Sequence, residues 1–159
     1  MIPRVPWHRL ATAAALPGAE RWLALRAIAW LALVRLALRS GGFVRARRLI
    51  AGAPPLRAPG AVDAGMVSRA VERAARALPG STCLHQAIVA ARLLRTAGLP
   101  AEMTIGVARP AMAGLRTGAG DEPIVPLDAH AWTRSAGYVV VGNGDLSRFT
   151  ELATFVVAP

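Results

Sequence analysis

At 159 residues the chain suits a single domain, long enough to bury a core without disulfide or metal staples. Its one cysteine, Cys83, excludes an internal disulfide and a cysteine-rich zinc site, and the three histidines, His8, His85 and His130, are too scattered for a metal cluster. These features fit a reducing, cytoplasmic compartment and call for no metal or cofactor. The net charge of +10 comes almost wholly from arginine, whose fork suits phosphates, carboxylates and lipid headgroups. With no zinc finger, RNA-recognition signature or basic run interleaved with aromatics, nucleic acid is not an expected partner.

In chain order, residues 1–18 hold Pro3, Pro6, Pro17 and Gly18 and read as an irregular lead-in. Residues 19–39 contain neither Gly nor Pro and predict a long helix. They match a bilayer in length, yet Arg26 and Arg35 lie well inside, and each costs about 2.5–3.5 kcal/mol near a bilayer centre. An amphipathic helix with a wide apolar face is the expectation, packed on the domain, docked to a partner or lying on a membrane surface. Gly41-Gly42 breaks it, and a short second helix carries Arg45, Arg47 and Arg48. Residues 1–50 thus form a helical N-terminal region, and 51–60 are a Pro/Gly-rich connector to a body spanning 61–159.

Residues 63–78 place Val67, Val71, Ala74 and Leu78 at helical spacing, with Arg69, Glu72, Arg73 and Arg76 on a solvated face. Pro79-Gly80 stops that helix. Ser81 or Thr82 then caps another, in which Cys83 occupies the first turn and Ala87, Ile88, Ala91, Leu93 and Leu94 draw the apolar stripe. Gly98 and Pro100 close it. From residue 101 the period changes to two: Met103, Ile105 and Val107 alternate as in a half-buried strand. Residues 109–128 have no period and read either as a substrate-binding loop or as disorder. Segments 129–134 and 137–142 read as two strands of a hairpin, with His130, Trp132 and Arg134 on one face of the first. A turn and a short closing segment follow, with Leu152, Phe155 and Val156 expected in the core.

A thiol at a helix start feels the positive end of the helix dipole, and a histidine on a neighbouring strand can complete a thiolate–imidazolium pair. A thiol's ordinary pKa is about 8.5, and such surroundings lower it to about 3.5–7.5. His85 is two residues beyond Cys83 on one helix, hence roughly 200° around, and cannot face the thiol. His8 sits in the lead-in. His130 is the remaining partner, and it needs a polar group on its far ring nitrogen to fix the tautomer.

The run PGSTCLHQAIVAARLLRTAGLPAEMTIGVAR, then AHAW, then GYVVVGNGDLSRF, resembles the leader peptidase of lasso-peptide biosynthesis. That family belongs to the transglutaminase-like, papain-related cysteine proteases. The resemblance covers residues 60–152 and implies an α+β fold: a papain/transglutaminase-like core with its nucleophile on a helix N-terminus, packed on a small antiparallel sheet and preceded by apolar helices. It also implies a cysteine endopeptidase that cuts the leader from a ribosomal precursor before a partner cyclase closes the ring. Cys83 would be the nucleophile and His130 the base and acid. For the orienting residue, Asp145 keeps the family's residue type and Asn143 its position, with Asp145 preferred; Asp128 reads as a loop residue. The Cys83 N–H would be one oxyanion donor. Trp132 either walls the site or fills the core.

No strand-rich recognition segment is visible ahead of the core, so a separate small precursor-recognition protein is the expected partner, beside the cyclase and the precursor itself. The arginine-bearing 19–50 region would dock that protein, the cyclase or the inner face of the membrane. The alternatives are acyl transfer on the same thiol, as in transglutaminases, and a non-catalytic membrane-associated or peptide-binding protein.

Overall fold

A computed structural model describes residues 18–51, 61–108 and 128–157, and the structural statements below concern these. The element order is α1 (Gly18–Ala51), α2 (Ala64–Ala77), α3 (Cys83–Thr96), β1 (Ala101–Ala108), β2 (Ala129–Ser135), β3 (Tyr138–Val141), a 3-10 turn (Leu146–Arg148) and β4 (Phe149–Val157). The strands form one antiparallel sheet in the order β3-β2-β1-β4, so the fold is α+β as expected. The sequence loop at 109–127 lies outside the described residues.

α3 is the central element. It packs on β1, β2 and β3 on one side and on α1 and α2 on the other. Every residue from Ala87 to Leu94 is buried, which is why its apolar pattern wraps around the helix instead of forming one stripe. Arg92 is part of that run, its guanidinium stacked 3.4 Å from the centre of the Trp30 ring. Thr82 is the N-cap, with His85 completing a capping box, while Ser81 bonds back to the Leu78 carbonyl.

α1 runs from Gly18 to Ala51 with a kink at Gly42, whose φ of +64° only glycine adopts freely. The break expected at Gly41-Gly42 is therefore a bend between two helical stretches. Leu23, Ala27, Leu31 and Val34 form a fully buried stripe in the same apolar cluster as α2, α3 and the sheet. Beyond the kink Phe43 meets Phe155 of β4, ring centres 5.4 Å apart.

The α2 face read as solvated is only partly so. Arg69 and Arg73 reach across to α1 and clamp Glu20, at 2.8 and 3.0 Å. Those two guanidiniums hold the Glu20 carboxyl below its ordinary value. Nothing in the spacing of α2 announces a partner fifty residues upstream.

The closing segment also differs from expectation. It is a nine-residue edge strand, and two of its three expected core anchors, Leu152 and Val156, are 64% and 75% exposed. The cause is a bulge: Ile105 pairs with Ala153 and Gly106 with Glu151, so Leu152 is the extra residue, left unpaired. Past the bulge Ala153, Phe155 and Val157 turn inward, and Val156 pairs with Glu102 on the outer face.

Two hydroxyls bolt β2 to its neighbours. The buried Thr133 donates to the Ala87 carbonyl at 2.9 Å, and Ser135 donates to the Pro100 carbonyl at 2.7 Å. Replacing Thr133 by valine keeps the volume and loses the bond, so chemical denaturation should show a loss of about 1–2 kcal/mol.

Candidate active site

Cys83 is the first residue of α3, a half-buried free thiol. Its N–H has no intrahelical acceptor, because the first helical amides lack a carbonyl four residues back. The turn before it is held from α1: Arg35 donates to the Pro79 carbonyl at 3.0 Å, and Gly80 takes a φ of +82°. His85, one residue pair further along α3, is spent on the cap. The Thr82 N–H donates to its Nδ1 at 3.1 Å, and the Thr82 hydroxyl lies 2.6 Å from the same nitrogen. Only a neutral ring offers Nδ1 as an acceptor. Burial, then the charges of Arg35 and Arg39, push the His85 pKa below its ordinary 6.5, in agreement with that role.

His130 is the second residue of β2, paired with Gly106 of β1 and half-buried. The two hydroxyl bolts show where it lies relative to Cys83. Passing along β2 from Ser135 to Thr133 leads from Pro100, in the turn past the C-terminal end of α3, to Ala87 within the helix. Continuing the same way reaches His130, about 10 Å on, while Cys83 is one turn, about 6 Å, beyond Ala87. Both residues thus sit at one end of the α3–β2 pair. Among the described residues no hydrogen bond joins the Cys83 sulfur to the His130 ring.

The far nitrogen of His130 is engaged. Nε2 lies 3.0 Å from the Gly142 carbonyl oxygen. A carbonyl can only accept, so Nε2 carries the proton and Nδ1 of the neutral ring holds the basic lone pair. The carboxylate of Asp145 is directed elsewhere, accepting from the Ser147 N–H at 3.2 Å and the Ser147 hydroxyl at 2.5 Å to cap the 3-10 turn. Asn143 makes no hydrogen bond to the ring. Asp128 receives Arg148 at 3.6 Å, and its carbonyl accepts from the Ala108 N–H.

The ring is also walled by aromatics. Trp132, 1% exposed, stacks on His130 at 6.1 Å and 28°, and Phe149 lies 5.2 Å from the imidazole. Gly106 makes room for this: a Cβ there would come within 2.9 Å of the Trp132 ring and 3.1 Å of Phe149. Trp132 is thus both a buried residue and a wall of the histidine's pocket.

A model of the transglutaminase-like superfamily matches residues 28–154, most of the chain. The chain belongs to that superfamily. No curated protein and no solved structure matched it. Transglutaminase-like proteins include cysteine peptidases and acyltransferases, and both chemistries use a thiol activated by an adjacent base. In this transglutaminase-like domain the sequence pattern missed the main-chain acceptor. The signal for it was Gly142 itself, at a φ of +81° with Ala131 O only 2.6 Å from where a Cβ would stand.

Two outcomes follow. Gly142→Ala should lower stability by about 2–4 kcal/mol in denaturant melts, since both the positive φ and the clash oppose a methyl group. The neutral cap at His85 contributes stability in full above pH 6.5, and loses it as pH falls from there toward the lowered folded-state value. His85→Gln retains a capping-box acceptor that does not titrate, so its melting temperature should fall less than the wild type's between pH 7.5 and pH 5.

Proposed function

We propose that this domain is a cysteine endopeptidase that removes the leader from a ribosomally made lasso-peptide precursor, working in the cytoplasm with a separate recognition protein and a cyclase. The observation that carries the reading is the anchored histidine. Nε2–H donated to the Gly142 carbonyl leaves Nδ1 as the basic nitrogen that this reading needs, and supports His130 as the partner of Cys83 at the start of α3. The motif order Pro-Gly-x-x-Cys-Leu, Leu-Leu-Arg-x-x-Gly and Ala-His-Ala-Trp supports the narrower assignment within the superfamily.

The chemistry follows in balanced steps. Nδ1 of His130 takes the Cys83 proton, and the thiolate attacks the scissile carbonyl carbon. The Cys83 N–H, unpartnered at the helix start, donates to the oxyanion that forms. Collapse expels the amine of the core peptide, which leaves with the proton from Nδ1, and a thioester to the leader remains. Water then loses a proton to Nδ1 and attacks the thioester, releasing the leader carboxylate and restoring the thiol. In this reading the Gly142 carbonyl orients the imidazole, and Asp145 shapes the loop that carries it.

A second reading has the same superfamily standing: an amine replaces water in the last step, giving acyl transfer. Mass analysis separates them, since hydrolysis adds water to the leader fragment and transfer adds the amine.

The test is incubation of the precursor peptide with the protein, with and without the recognition protein, followed by mass measurement. Cys83→Ala and His130→Ala should each lower cleavage by about 10^3-fold or more with unchanged folding. Asp145→Ala should cost about tenfold or less, because the ring keeps its main-chain acceptor; a loss as large as that of His130→Ala would make Asp145 the orienting residue. Full cleavage by the Cys83→Ala protein would refute the peptidase.

A further inference from the structure

α1 carries two apolar faces, and the core uses one. Opposite the buried stripe, Leu25, Ala29, Ala32, Leu33 and Leu36 recur at helical spacing and all are exposed, Leu25 and Leu36 by 63% and 62%. The stripe runs roughly 17 Å along the helix. Exposed Arg21 and Arg39 border it on one side, and Arg26 on the other packs over Trp22 at 4.6 Å.

The border is cationic throughout. Glu20 is the sole acid in α1, and Arg69 and Arg73 occupy it. On the Arg26 side, Arg92 of α3 stacks on Trp30, and the Nε atoms of Arg26 and Arg92 are buried with no hydrogen-bond partner. Burial, followed by the charges of Arg26 and Arg95, pulls the Arg92 pKa down to about 10. Guanidiniums crowded like this, beside two tryptophans, suit an added anion such as a phosphate. A leucine stripe edged by arginine and tryptophan is the pattern of a helix lying at a lipid headgroup boundary.

We propose that the outer face of α1 docks the folded domain on an anionic membrane surface, its leucines entering the headgroup–acyl boundary and its arginines taking lipid phosphates. The residues 18–46 are long and apolar enough to cross a bilayer. A crossing helix would strip Leu23, Ala27, Leu31 and Val34 from the core, whereas a surface helix keeps them there. This inference does not involve Cys83 and stands apart from the peptidase reading.

The experiment is flotation of the full chain with vesicles of phosphatidylcholine alone and of phosphatidylcholine mixed with phosphatidylglycerol. The wild type should float with the mixed vesicles and not with the neutral ones. The double change Leu25→Ser with Leu36→Ser should weaken binding roughly tenfold or more. Arg21→Gln and Arg39→Gln should each weaken it about fivefold, at about 1 kcal/mol per arginine near the surface. All these positions are exposed, so the melting temperatures should match the wild type's. A chain that stays in solution with mixed vesicles overturns the proposal. So does equal flotation of the leucine variant, which would mean adhesion through net charge alone. So does a lipid-free dimer that the leucine change dissolves, which would make the face a protein interface.

Discussion

The hydroxyl of Thr133, fully buried, donates to the carbonyl of Ala87, and the geometry of the candidate site is built around that strand-to-helix junction. One hydrogen bond of this kind is worth only about 1 kcal/mol net. Its importance is geometric. It marks the height of α3 along β2; the short turn from α3 into β1 and the antiparallel β1–β2 pairing bring the helix start and the strand start to one end. The apolar shell around α3 then holds the register: α1 and α2 on one side, the sheet on the other, with every residue from Ala87 to Leu94 out of water.

Around that junction the electrostatics divide by side. Glu20, Arg69 and Arg73 close the α1–α2 contact with paired charge, while across the α1–α3 contact Arg92 stacks on Trp30, and within α1 Arg26 packs over Trp22. Stacking on aromatic rings suits a guanidinium that has lost water, and in both arginines the buried Nε has no hydrogen-bond partner.

Much of the architecture was legible in the residues. The helix opened by Cys83, the amphipathic 64–77 helix, the change to period two at Ala101 and the hairpin after Ala129 all follow from local pattern, turn residues and caps, and these are short-range signals. What was not legible is long-range. The Glu20 clamp joins residues about fifty positions apart. The bulge that turns Leu152 outward depends on the register against β1, which no strand records alone. The capping role of His85 was visible in hindsight as Thr-x-x-His, a capping box with imidazole in the usual carboxylate or amide place. At the candidate site, Cys83 and His130 could be nominated because a proposed nucleophile and base are side chains. The Gly142 carbonyl could not, because a backbone acceptor has no letter of its own; only the glycine's conformational demand betrays it.

In the proposed mechanism Cys83 and His130 act as one unit, and the chain's single cysteine makes that directly measurable. Alkylation of the wild type by iodoacetamide at neutral pH reports the thiolate at one position only. If His130 serves as the thiol's base, the His130→Ala protein, equally folded, should react many times more slowly. An unchanged rate would mean that the histidine does not act on the thiol, and would contradict the central claim.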